Sequence, residues 1–331
     1  MRITASTIAW AEELVETPEK NAPELADLPD CFQWRDTLRQ VTTTLHDTSV
    51  LGMPTPHGVL FFGPPGNGKH TLARAYISTL WHGRNVGHEL VPLFRVDASQ
   101  FPEGLDLQKA LDRIDTVFDV ISGPEKYDFC DDAEFGIILF DQMERYAHVD
   151  ALAYSIAQWT ADLSDHAAVI CITEDESIIP SDLRRALFPC RCSNPGPRLR
   201  QQILEWGLRW TTVSNDRSVS RLNGISEDEI VQRTDGLNCA GLHDLVMQLR
   251  LAGLTKILDS DRPNISVPLE EDVILNALEL QERRAAPAAV PTVIQTVAVP
   301  AGGVSSVQLG AEVDPQEDTG DMTEEEYFNY F

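Results

Sequence analysis

Gly63-Pro-Pro-Gly-Asn-Gly-Lys-His-Thr71 is the stretch on which the fold turns. It lies between an apolar run suited to a buried strand, Gly58-Val-Leu-Phe-Phe62, and a helical pattern that opens near Lys69. Glycines at 63, 66 and 68 let backbone N–H groups converge on an anion, and the helix N-terminus behind them adds a positive dipole. Lys69 is then placed to reach the outer phosphates of a nucleotide. A chance glycine turn would not bring strand, loop, lysine and helix together. Gly63, Pro64, Pro65, Gly66, Asn67, Gly68, Lys69, His70 and Thr71 are therefore the expected nucleotide-binding residues.

One position departs from the usual pattern. The residue after the lysine is normally Ser or Thr, whose hydroxyl ligates Mg²⁺, and here it is His70. Thr71 follows at a helical rotation of about 100°. Either His70 or a water fills that coordination position, or Mg²⁺ is held more weakly than usual; His70, Thr71 and Asp141 are the candidate metal-site residues.

Moving outward, the apolar run Gly136-Ile-Ile-Leu-Phe140 ends in Asp141-Gln142. A carboxylate at the C-terminal end of a buried strand, beside the phosphate loop, suits a residue that holds the metal through water. Gln142 stands where a glutamate would polarise the attacking water. An amide orients water but cannot accept its proton, and losing a general base typically costs about 10² to 10⁴ in rate. Gln142 marks either a naturally inactive site or an isosteric Glu→Gln replacement that freezes an ATP-bound state. Glu144 lies two residues further on and needs a bent backbone to reach the same water.

Further apolar runs, Leu90 to Val96 and Ala167 to Thr173, alternate with helical patterns, which is the signature of parallel strands with crossover helices. From Pro195 to Arg284 the strand runs stop. Arg198 to Trp210, Glu227 to Arg233, Gly241 to Leu258 and Leu269 to Arg283 have helical spacing, and Ser226-Glu-Asp-Glu229 fits a capping box. The expected organisation is a partly ordered arm over 1–29, an α/β domain over 30–194, a small all-α domain over 195–284 and a disordered acidic tail over 285–331. Tyr327-Phe-Asn-Tyr-Phe331 forms an aromatic tip on that tail.

Composition bounds the partners. The 331 residues carry 26 Lys plus Arg against 52 Asp plus Glu, a net charge of −26, so a polyanion meets repulsion and nucleic acid is not an expected partner. No apolar run approaches the roughly 20 residues that span a bilayer, so no membrane contact is expected and the chain reads as cytoplasmic. Six cysteines in so long a chain do not form a disulfide framework. Cys190 and Cys192 lack a second Cys or His pair at zinc-ligand spacing.

Taken together, residues 30–284 resemble the classical clade of the AAA+ ATPases. The resemblance rests on Pro54-Thr-Pro-His-Gly-Val-Leu-Phe-Phe-Gly-Pro-Pro-Gly before Gly68-Lys69, on Ile137-Ile-Leu-Phe-Asp141, and on Ile172-Thr-Glu174. Asp182-Leu-Arg-Arg185, Asn194-Pro-Gly-Pro-Arg-Leu-Arg200 and Asp235-Gly-Leu-Asn-Cys-Ala-Gly-Leu242 follow in the same order as in that clade. It implies a P-loop AAA+ module, a parallel sheet flanked by helices, followed by a small all-α lid. It also implies ATP with Mg²⁺ as cofactors and a homohexameric ring acting on a client protein.

Residue by residue, the resemblance implies Arg185, with Arg184 second, as the arginine that completes a neighbour's site. Thr173 falls at the sensor 1 strand, with Glu174 where an asparagine is usual, and Gln142 at the water-polarising position. Ala240 stands where other AAA+ groups carry a second sensor arginine. Phe101, in Asp97-Ala-Ser-Gln-Phe101-Pro-Glu-Gly104, resembles the pore-loop aromatic that grips a threaded polypeptide, and a buried loop aromatic is the alternative. The function implied is an ATP-dependent protein remodeller or unfoldase, slowed by Gln142. Alternatives are a nucleotide-binding regulator without turnover and a proteasome-type activator, the latter suggested by the terminal Asn329-Tyr330-Phe331. A compact bacterial relative of the HORMA-remodelling ATPases is the subfamily expectation.

Overall fold

The computed structural model describes residues 3–18, 22–28, 32–46, 58–84, 91–130, 133, 135–163, 167–208, 227–258 and 271–285. The chain divides into two compact units, 1–285 and 286–331. The expected capping serine, Ser226, and the tail beyond Ala285 lie outside the described residues, as does its aromatic tip.

In chain order the elements are α1 (Ala5–Glu13), β1 (Val15–Glu16), α2 (Arg35–His46), β2 (Gly58–Phe62), α3 (Lys69–Arg84), β3 (Leu93–Val96), α4 (Leu107–Ser122), β4 (Gly136–Phe140), α5 (Val149–Asp162) and β5 (Ala167–Thr173). They are followed by α6 (Ser181–Ala186), β6 (Phe188–Arg191), α7 (Pro197–Leu208), α8 (Glu227–Arg233), α9 (Cys239–Leu258) and α10 (Glu271–Ala285). The six strands form one sheet in the order β1-β3-β4-β5-β2-β6. All neighbours run parallel except β1, which pairs antiparallel with β3 through Val15 opposite Phe94.

The continuous apolar runs become strands because both faces of the sheet are covered. Every residue of β2, β4 and β5 is buried. Alternate side chains feed two separate cores. Leu60, Phe62, Ile138, Phe140, Val169 and Cys171 point to one, which α4 and α5 close; Val59, Phe61, Ile137, Leu139, Ile170 and Ile172 point to the other, closed by α2 and α3. Each large apolar side chain so buried contributes about 1.5 to 3 kcal/mol.

Residues expected as an arm lie against this body. Thr4 and Thr7 form a reciprocal cap on α1, and Ala11 and Leu14 enter the first core. Leu25 and Leu28 enter the second, where the Leu25 N–H donates to Thr79 Oγ1 at 2.9 Å and Arg35 Nε donates to the Leu25 carbonyl at 2.8 Å.

Beyond β6, α7 packs on α8 and α9, and α9 on α10. Leu204, Ile230, Leu245, Val246, Leu249, Ile274 and Leu278 build a third apolar cluster there. Leu199 and Ile203 of α7, Leu242 of α9 and Leu237 from the turn before α9 instead join the second core, so these helices are seated on the sheet side that carries the phosphate loop. Among the described residues no helix is long and apolar enough to cross a membrane.

Candidate functional site: a phosphate loop whose aspartate is already engaged

The loop leaves β2 at Gly63, whose φ is 129°. A Cβ at this position would lie 2.2 Å from the Cys192 carbonyl oxygen, at the end of β6, so only glycine fits. Gly66, with φ 72°, faces the C-terminal helices: a Cβ there would lie 2.5 Å from the Asn238 amide nitrogen. The Ala240 N–H donates to the Gly66 carbonyl at 3.0 Å and Asn238 Nδ2 to the Pro65 carbonyl at 3.2 Å. The loop is thus held between the strand end and the start of α9.

Lys69 opens α3 with its side chain buried. Its Nζ donates to the carbonyls of Gly63 at 2.8 Å and Pro64 at 2.9 Å, and lies 3.9 Å from Glu174 Oε1. Burial draws its pKa below the ordinary lysine value, and the nearby carboxylates of Glu174, Glu144 and Asp141 oppose that shift. Asn67 is buried, and neither its amide nitrogen nor its amide oxygen has a hydrogen-bond partner. Such an orphaned pair costs roughly 1 to 3 kcal/mol unless a ligand satisfies it. Glycine cradle, lysine and orphaned amide together fit a nucleotide phosphate chain.

Asp141 follows β4 and is only 2% exposed. His70 Nε2 lies 2.9 Å from its Oδ1, and Arg95 Nη2, on the neighbouring β3, lies 3.7 Å from its Oδ2. Burial pushes the Asp141 pKa up, but the His70 hydrogen bond, the His70 and Arg95 charges and the Gln142 N–H outweigh it, leaving the carboxyl below its usual range. These residues do not fit the magnesium site the fold implies. The hydroxyl is replaced by an imidazole, and both oxygens of the aspartate face nitrogen donors.

After Asp141 the chain bends sharply, because Gln142 is left-handed at φ 51° and ψ 49°. The bend buries Met143 and brings Glu144 back, so that its Oε2 accepts the Glu174 N–H at 3.0 Å. Glu144 therefore stands among the charges around Lys69. Thr173 is buried, and its hydroxyl is engaged in a local turn, donating to the Asp175 carbonyl at 3.3 Å and accepting the Asp175 N–H at 3.2 Å. Arg184 and Arg185 are exposed on α6, and Arg185 lies 3.6 Å from Asp182.

Phe101 is a correction. It is 0% exposed, with its ring 4.9 Å from Tyr146 and 6.5 Å from Trp10. The Asp97 cap with Gln100 fixes a short 3₁₀ turn, and Phe101 closes that turn with its ring directed into the first core. A buried ring cannot grip a passing chain, so the pore reading of Phe101 falls. The exposed segment that follows, Pro102-Glu103-Gly104, contains no aromatic residue.

Two contributors went unread in the sequence. Arg95 gave one signal, a charge inside the otherwise apolar Leu93-Phe-Arg-Val96. Cys192 gave none, since its role lies in its backbone carbonyl.

A parallel sheet with a phosphate loop at the end of β2 and an aspartate at the end of β4 defines a P-loop nucleotide-binding protein. Residues 59–192 match the family described as "ATPase family associated with various cellular activities (AAA)". Over that span the chain is similar to an AAA ATPase domain.

Among similar proteins, "ATP-dependent zinc metalloprotease FTSH 9, chloroplastic/mitochondrial" of Oryza sativa subsp. japonica is 28% identical over 251 residues, covering 69% of this chain and 28% of that protein. "Proteasome-activating nucleotidase" of Methanoculleus marisnigri is 36% identical over 85 residues, 25% of this chain and 21% of that protein. The chain spans less than a third of the length of these relatives. Among solved structures, the FIGL-1 AAA domain in complex with ADP matches with a TM-score of 0.57 at 16% identity, covering 87% of this chain and 92% of that one. That likeness is one of fold.

Proposed function

We propose that the chain is an ATP-binding motor domain that remodels a client protein as part of a self-associated ring. The observation that carries this reading is the pair of hydrogen bonds from Asn238 and Ala240 to the phosphate loop. Phosphates drawn to Lys69 must share the loop with α9, so a nucleotide that binds one arrangement of that contact better shifts the helices 195–284 as a lid. The similarity to proteins named as an ATP-dependent protease and a proteasome-activating nucleotidase supports a protein client. Exposure of Arg184 and Arg185 supports a role in a neighbouring copy's site, where an arginine neutralises charge on the outermost phosphate.

Hydrogen exchange of the full chain with and without ADP tests the coupling. Protection of both 63–69 and 239–258 is expected, and protection confined to the loop overturns it. Sedimentation with nucleotide tests the ring: Arg185→Ala is expected to leave nucleotide affinity unchanged and to lower turnover of the assembly.

A second reading, a nucleotide-binding regulator without turnover, is favoured by Gln142 together with the His70 to Asp141 contact. Both alter chemistry more than phosphate capture. Single-turnover phosphate release from the assembled protein separates the two readings, since a regulator releases none.

A further inference from the structure

We infer that this site takes its nucleotide without a divalent cation, His70 and Arg95 occupying the place on Asp141 that hydrated magnesium would need. The inference rests on the nucleotide-binding reading above, and on nothing in the reading about a ring or a client.

The geometry is specific. Magnesium is held at about 2.0 to 2.1 Å by six oxygens, and an aspartate that holds it indirectly does so by accepting hydrogen bonds from the metal's waters. Those waters would sit at hydrogen-bond distance from Oδ1 and Oδ2 of Asp141. His70 Nε2 already stands there, 2.9 Å from Oδ1, and Arg95 Nη2 approaches Oδ2 at 3.7 Å. With the aspartate almost wholly buried, there is little room for imidazole and hydrated cation together.

The residue types argue in the same direction. Magnesium prefers carboxylate, carbonyl, phosphate and water oxygens, and imidazole is a ligand of softer metals. Replacing the hydroxyl at 70 by an imidazole removes the direct protein ligand, and Thr71 points elsewhere around α3. What the site keeps is fixed positive charge: the Lys69 ammonium among the loop carbonyls and the Arg95 guanidinium, which is always protonated. A nucleoside di- or triphosphate entering as the free anion meets the Lys69 ammonium and the loop N–H groups, while Arg95 offsets the charge of Asp141.

Fluorescent ADP, titrated into the full chain in Mg²⁺ and again in excess EDTA, provides the test. The expected result is the same Kd in both conditions to within about threefold, whereas a loss of about tenfold or more in EDTA overturns the inference. His70→Ser restores the hydroxyl and frees Oδ1 of Asp141, the oxygen held at hydrogen-bond distance, so this variant is expected to acquire a dependence on Mg²⁺ of about tenfold or more. The comparison on the parent chain stands even if the variant fails to fold. Absence of binding in both conditions, with Lys69→Ala indistinguishable from the parent, overturns the nucleotide reading itself and the inference with it. Binding that is abolished by Lys69→Ala but needs Mg²⁺ keeps the reading and overturns the inference alone.

Discussion

Phe101 and His70 show how a single side chain redirects the reading of its surroundings. With its ring packed on Tyr146 and Trp10, Phe101 serves stability. Phe101→Ala is expected to cost about 3 to 5 kcal/mol, the range for removing a buried aromatic. Denaturant unfolding would show it, and an unchanged midpoint would return the ring to a surface role. His70 and Gln142 act on one site from two elements. Gln142→Glu alone is expected to leave turnover low, because Asp141 is still engaged by His70 and Arg95. The double variant His70→Ser with Gln142→Glu, in Mg²⁺, is expected to raise phosphate release by about 10² or more, the contribution of a general base. A double variant no faster than Gln142→Glu would show that the His70 contact does not limit the chemistry.

Asp141 also sets a dependence on acid. Its folded pKa lies below the ordinary value, so it stabilises the fold above the ordinary carboxylate range, and that contribution is lost as pH falls through the lowered folded value. Asp141→Asn is expected to flatten the acid limb of a stability-against-pH curve and to leave its shape at neutral pH unchanged.

At the scale of elements, local rules and tertiary packing divide the work. Helix α4 starts where Asp106 accepts the N–H groups of Gln108 at 3.0 Å and Lys109 at 3.3 Å. Asp106→Ala is expected to cost about 0.5 to 2 kcal/mol, read from thermal unfolding, with nucleotide affinity unchanged. Strands β2, β4 and β5 were legible because a strand buried on both faces must be apolar throughout, whatever its partners. Strand β6 was not: Phe188-Pro-Cys-Arg191 is short, carries a proline and takes its shape from pairing with β2. The acidic, proline-containing sequence around Glu12 to Pro29 reads as an arm, yet α1 and β1 are fixed by long-range contacts to α4 and β3 that no local pattern announces.

Across the whole molecule the candidate site was legible wherever it is contiguous in sequence. Gly63 to Thr71 declares its own geometry, and Asp141 follows from the strand before it. What could not be read is what the fold brings together from afar: His70 and Arg95 on one carboxylate, Glu144 returned to Glu174 by the left-handed Gln142, and Asn238 against Pro65. The sheet that gathers them has an unusual pair of margins. One is finished by β1, two residues long and running against its neighbour; the other by β6, whose row of N–H groups is interrupted at Pro189. Neither border offers a clean ladder of donors and acceptors to a foreign strand. Copies of this chain are therefore poorly equipped to zip together through their backbones. As far as the described sheet edges go, a joint between copies would rest on side chains, which can be undone and remade without disturbing the sheet that holds the site.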